Sequence, residues 1–232
     1  PRPAWPPTLD QLAKRIPISL KLAGFSMILT IVFGVGSGVL MAVQKDRMLD
    51  HVLGTFSTVA LSVPGFWIAI VLIFIFAEQW KILPSSGISD GSGFILPAIT
   101  LALPSIGVCA RLTRSAILDE IGRQYMTVAD AKGMSRRRAV IRHAFGNALI
   151  PIITYLGNHM AGIIGGASIV ETIFAIPGIG SYAIAGVQSK DYYVVQAYVL
   201  FSGCIYVLTN ILIDLIYIAL DPKIRAGEAV ES

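Results

Sequence analysis

Residues 125–151 read YMTVADAKGMSRRRAVIRHAFGNALIP, a dense basic connector between two strongly apolar stretches. Tyr125, Val128, Ala129 and Ala131 fall near helical spacing, and Gly133 follows where a helix C-cap belongs, so a short, stopped helix is expected over Tyr125–Lys132. Ser135 is a plausible N-cap for a second helix, in which Ile141, Phe145, Ala148 and Leu149 share one face. Arg136, Arg137 and Arg138 occupy its first turn, where the helix dipole disfavours each cation by about 0.3–1 kcal/mol. Something other than helix stability must want them, either anionic lipid or a cytoplasmic partner.

Working outward, the chain is 55% hydrophobic and only 14% charged, with mean hydropathy +0.72, against roughly 25% charged residues in a soluble domain. This composition belongs to an integral membrane protein. A bilayer core of about 30 Å needs roughly 20 helical residues. Five apolar segments qualify: 18–43, a segment around 52–77, 94–110, 148–170 and 194–220. The expected fold is therefore an all-α polytopic bundle. Pro64 in LSVPGFW should kink or split the second span, and the third should run on past Arg111 and Arg114 into the cytoplasm.

Orientation follows from the basic residues. Segments 44–50, 111–146 and 221–232 share one side by parity and hold twelve of the eighteen lysines and arginines, which makes that side, and the C-terminus, cytoplasmic. Arg2, Lys14, Arg15 and Lys21 dissent, and an N-out start at Pro1 leads to the expectation of a six-helix parent with one further helix upstream. Residues 1–17 carry a capping box at Thr8 and Gln11, and Pro17 is expected to stop a short helix there. Its apolar face of Leu9, Leu12 and Ile16 suits an outer-surface helix lying along the membrane, or an ordinary helical lead-in. Residues 18–232 would form the transmembrane domain, with its cytoplasmic loop at 111–146.

Gly34 with Gly38, and Gly162 with Gly166, each form a GxxxG pattern that favours close helix contact. Cys109 and Cys204 lie in or beside spans and indicate neither a disulfide framework nor a zinc site. The chain has no phosphate-binding loop, metalloprotease, hydrolase or calcium-loop signature, so no cofactor or nucleotide is expected on it. Nothing points to nucleic acid. Neither the repeated pore polarity of an ion channel nor the paired catalytic groups of an intramembrane enzyme is visible.

Several blocks stand out along the chain: Arg111, Thr113, Arg114 and Ser115 leading into Tyr125; Thr127, Ala129, Ala131, Lys132 and Gly133; Arg142, His143 and Ala144; and Asn147 to Pro151. Further on come Glu171 to Phe174, Pro177 to Gly180, Asp191 and Tyr192, Asn210, Asp214, Tyr217, and Asp221 to Arg225. Together these blocks resemble the permease subunits of dipeptide, oligopeptide and nickel ABC importers. The resemblance implies a type I importer permease fold with six spans in the parent. It also implies a coupling helix docked on an ATPase subunit, here Tyr125, Met126, Thr127, Val128, Ala129, Asp130, Ala131, Lys132, Gly133 and Met134. Thr127–Val128–Ala129 stand where the general importer signature has Glu-Ala-Ala, and Pro151 comes eighteen residues after Gly133, which suits the peptide/nickel branch. Implied partners are a second homologous permease, two ATPase subunits that carry ATP and Mg, an external solute-binding protein and membrane lipid. The implied location is the bacterial inner membrane.

The IPGIG segment, Ile176–Gly180, follows the fourth span and precedes a helical pattern over Tyr182–Val187. With Glu171, Pro177, Gly178 and Gly180 it reads as a gate or pathway wall, or as a plain turn capping the bundle. Asn158 and His159 lie within the fourth span as candidate gate or pathway residues; the His159 imidazole also suits nickel, and a hydrogen bond across helices is the other reading. Asn210 and Asp214, four apart on the last span, are expected to form a structural polar pair, with Arg111 or Arg114 as the counter-charge. The expected solute is a short peptide, with nickel or a metal chelate as the alternative.

Overall fold

The computed structural model describes residues 8–88, 91–123 and 144–220. The coupling segment 125–134, the arginine run 136–138 and the C-terminal block 221–225 lie outside the described residues. Within them every regular element is helical: α1 (Thr8–Leu29), α2 (Gly36–Val43), α3 (Met48–Ser62), α4 (Gly65–Leu72), α5 (Ile95–Ile121), α6 (Phe145–Gly166), α7 (Ser168–Ile173), α8 (Ile179–Gln188) and α9 (Tyr192–Leu220). Single π-helical stretches at Thr30–Val35 and Ile73–Gln79 link α1 to α2 and extend α4.

Pro17 does not stop the first helix, which is a correction to the sequence reading. Its ring sits inside α1, which continues through the π stretch, so that one 34-residue helical span covers Asp10–Val43. A mid-helix proline costs about 3 kcal/mol. Leu12 before it and Leu22 and Ala23 after it are all buried in one apolar cluster, and that packing outweighs the lost backbone bond.

Pro64 acts as expected. Val63 before it is extended (φ −91°, ψ 125°), as the proline ring requires, and α3 meets α4 at a bend of 102°. Length and hydropathy together mark three helices among the described residues as spans, or four if the bent pair counts as one. The fifth expected crossing falls on α6, whose 22 residues cover about 33 Å but carry Asn158 and His159 at mid-length.

α5 is the central helix, packed on α1 to α4 and on α6. Small residues set these approaches. A Cβ on Gly38 would stand 2.5 Å from Thr113 Cβ, and one on Gly34 would stand 2.8 Å from Cys109 Cβ, so the first GxxxG pattern is a contact within this chain. Gly162 of the second pattern meets nothing within 4 Å. α9 rests on α6, α8 and α1, yet only 6% of its most apolar window is buried, leaving a broad apolar face of the kind that lipid or a second membrane subunit covers.

Candidate functional site

Three polar constellations stand out in this apolar frame. The first is built on Glu171, which is fully buried near the end of α7. Ser19 Oγ of α1 donates to Glu171 Oε1 at 2.5 Å, and the Ser181 N–H donates to Oε2 at 2.9 Å. The Ile179 N–H donates to Ser19 Oγ at 2.9 Å. The carboxylate therefore caps the N-terminus of α8, where helix geometry leaves N–H groups unpaired and the dipole favours negative charge. Gly178 packs against this carboxylate so closely that a Cβ would overlap it, and a Cβ on Gly180 would fall 2.5 Å from Ser168 Oγ. These glycines are demanded by close approach. Pro177 is exposed beside them on the wall of a cleft of about 310 Å³ that includes Ser181, Ile184 and Gln188. Arg15 lies 4.6 Å above the Tyr182 ring, a second tie between α1 and α8. The structure thus brings Glu171, Pro177, Gly178 and Gly180 together as one fastened unit.

The second constellation holds His159 on α6. Its Nδ1 is 3.4 Å from Ser105 Oγ, its ring stacks on Tyr155 at 5.7 Å, and Tyr155 Oη donates to the Ser105 carbonyl at 3.3 Å. These contacts fasten α6 to α5. Among the described residues no group of three or more His, Cys, Asp or Glu side chains is gathered that could hold a metal ion. Asn158, next to it, is exposed.

The third lies at the other end of α5. Arg114 Nε donates to Asp50 Oδ1 at 2.7 Å and Nη2 donates to Oδ2 at 2.8 Å, a two-pronged pair joining α5 to α3, and Asp50 is 4% exposed. The expected pairing of Asp214 with Arg111 or Arg114 is therefore corrected. Asp214 is exposed on α9, and Asn210 Nδ2 donates back to the Tyr206 carbonyl of its own helix at 3.0 Å. α9 packs on α6, α8 and α1, which keeps it off the face of α5 that carries the arginines. The partner chosen instead, Asp50, opens α3 across a short loop, where its Oδ2 also accepts the Asp46 N–H at 2.9 Å.

Below this pair, Glu120 is 7% exposed, accepts a bond from Asn147 Nδ2 at 3.2 Å and pairs with Arg123 at 3.0 Å. Asn147 opens α6 and Glu120 closes α5, so the two stems of the 124–143 connector are tied to each other. Ile117, Ala144, Ala148 and Ile152 pack behind them.

Sequence reasoning passed over Ser19, Asp50, Glu120 and a polar row on α3. His51, Thr55, Thr58 and Ser62 recur at i, i+4, i+7 and i+11 and are all exposed. That row was available as a helical period in polar residues. It borders an open cavity of about 630 Å³ lined by Asp50, His51, Thr55, Thr58, Arg111, Arg114 and Ser115.

These features define a helical membrane protein with a polar-walled flank and two helices, α5 and α6, tied to each other at their ends. Residues 34–226 match the family described as binding-protein-dependent transport system inner membrane component, and the chain belongs to that family. It is the permease component of an ABC importer. It is 38% identical over 227 residues to a probable peptide ABC transporter permease protein, y4tP, of Sinorhizobium fredii (strain NBRC 101917 / NGR234), covering 94% of this chain and 72% of that protein. It is 34% identical over 219 residues to the glutathione transport system permease protein GsiC of Escherichia coli (strain K12), with the same coverage. Among solved structures, an inward-facing form of the MetNI methionine ABC transporter superposes with a TM-score of 0.77 at 17% identity, over 94% of this chain and 99% of that one. An amino acid ABC transporter with histidines gives 0.70 at 17% identity, over 90% and 93%. The latter two show the shared fold.

Proposed function

We propose that this permease forms half of an ATP-driven path for short peptides, and that its 124–143 connector is the coupling element which an ATPase moves. The observation that carries the coupling reading is the Glu120–Asn147 bond. It joins the stems of α5 and α6 above the connector, so a push on residues 125–134 would move both helices together instead of bending one. Peptide is favoured over nickel by the names of the relatives, one a peptide and one a glutathione permease. His159 Nδ1 is bonded to Ser105 and its ring is stacked on Tyr155, contacts that tie α6 to α5 and do not involve a metal.

In this reading a second homologous permease supplies the other half, two ATPase subunits hold ATP and Mg, and an external binding protein delivers solute. The connector and the C-terminus face the cytoplasm of a cell with an inner membrane, in line with the distribution of lysine and arginine. ATP and loaded binding protein act as ligands that favour different states of the permease pair. The Glu171–Ser19 unit would hold the outer end of the bundle rigid while the inner end moves.

Tagged chain purified from its native membrane tests this. Co-purification of an ATPase that is lost on Gly133→Pro substitution supports the assignment of the connector. An ATPase retained with normal solute-stimulated uptake in that variant contradicts it.

A further inference from the structure

We propose that Arg111 receives the carboxylate of the transported solute near the inner end of the path, which the solute follows along the polar row of α3; the proposal rests on the peptide-import reading above. α3 has three faces. Ser57 and Ala60 are buried, and Gly107 of α5 comes so near that a Cβ on it would stand 2.6 Å from the Ser57 carbonyl. Val52, Phe56 and Val59, at i, i+4 and i+7, are exposed and apolar, which suits lipid. His51, Thr55, Thr58 and Ser62 form the remaining face, also exposed and wholly polar, over about 17 Å of helix ending just before the Pro64 bend. Thr58 and Ser62 place their hydroxyl protons on the Gly54 and Thr58 carbonyls, at 3.0 and 2.9 Å. A continuous polar row beside an apolar one on the same membrane helix belongs against water or solute, because hydrocarbon offers its lone pairs nothing.

At the foot of the row the cavity of about 630 Å³ is of the size that small-molecule sites use. Its charged lining comes from two helices: Asp50 and His51 on α3, Arg111 and Arg114 on α5. Asp50 and Arg114 neutralise each other through their two bonds. Arg111, one turn from Arg114 and exposed, has no ion-pair partner among the described residues. Among the described lining residues this leaves the charge of one guanidinium, a planar donor fork that fits a carboxylate. Every linear peptide with a free C-terminus carries such a group.

The test uses the complete reconstituted importer without nucleotide, in a background of Cys109→Ala and Cys204→Ala. Single substitutions Thr55→Cys, Thr58→Cys and Ser62→Cys are compared with Val52→Cys, Phe56→Cys and Val59→Cys for reaction with a sulfonate-bearing and a trimethylammonium-bearing methanethiosulfonate. The proposal expects the first set to react and the second to resist. It also expects Arg111→Gln to lower the anionic-to-cationic rate ratio at Thr55→Cys by about five- to tenfold, with Arg111→Lys restoring most of it. Equal inertness of both sets, as when lipid or the second permease covers the row, overturns it, and so does a ratio indifferent to Arg111. Uptake supplies the second arm: Arg111→Gln should raise KM for a tripeptide free acid about tenfold and leave its C-terminal amide unchanged, whereas an equal loss for both overturns the carboxylate role. If the wild-type importer takes up neither tripeptide, the peptide-import reading fails, and the labelling ratio still decides whether Arg111 serves an anion.

Discussion

Ser19 and Glu171, 152 positions apart in the chain, meet in a buried 2.5 Å hydrogen bond, and through it the first helix is joined to the capped start of α8. Ser19 both donates to the carboxylate and accepts the Ile179 N–H, so its hydroxyl is the bridge between two helices. Removing it leaves a buried acceptor and a buried donor each short of a partner, which costs about 1–3 kcal/mol. Ser19→Ala should therefore lower the melting temperature of the purified complex. Ser19→Ala/Glu171→Ala should fall little below Glu171→Ala alone, because both act through one network. Strict additivity of the two losses would show that they are independent.

Asp50 and Arg114 make the corresponding tie at the other end. Arg114 keeps partial exposure at 29%, so the pair falls between a surface bridge and a fully buried one, and Asp50→Ala is expected to cost about 1–3 kcal/mol. The exchange Asp50→Arg/Arg114→Asp should recover part of the assembled protein in a detergent-stability assay. No recovery would mean that the flanking Asp46 N–H bond, which the exchange also loses, dominates.

Glycine 38 offers a sharp contrast with its neighbour Gly36. A Cβ on Gly38 would stand 2.5 Å from Thr113 Cβ and 2.6 Å from the Ala110 carbonyl, whereas one on Gly36 meets nothing within 4 Å. Gly38→Ala should push α2 off α5 and destabilise by about 1–3 kcal/mol, while Gly36→Ala should be neutral or slightly stabilising. Thermal denaturation of the two variants, read side by side, checks this.

Coupling is tested at the stems. Asn147→Ala removes the donor that joins α6 to Glu120 and should leave assembly and basal ATP hydrolysis near wild type while lowering the solute moved per ATP. The measurement is the ratio of uptake to hydrolysis in vesicles, and an unchanged ratio would speak against the stems as the transmitting element.

The long apolar stretches and the Pro64 break were open to reading because each depends on local facts, a run of residues or a missing N–H. Pro17 misled, since what carries α1 through it is Leu12, Leu22 and Ala23 burying themselves against helices far along the chain. Glu171, Gly178 and Gly180 could be picked out as a group, but their physical role depends on Ser19, and no local pattern pairs residues at that separation. Asp214 and Arg114 sit at similar depth by counting, yet depth says nothing about which face of α5 a helix meets. The α3 row is legible as a polar period of His51, Thr55, Thr58 and Ser62, but apolar periodicity alone marks only the buried and lipid-facing sides of such a helix.

The decisive measurement is ATP-dependent peptide uptake into vesicles bearing this chain with its partner subunits. A short peptide should accumulate against its gradient, dependent on ATP and on loaded binding protein, and should fail to do so when the ATPase is inactivated. Equilibration of the peptide without ATP, or accumulation of nickel with no response to any peptide, would contradict the peptide-import reading.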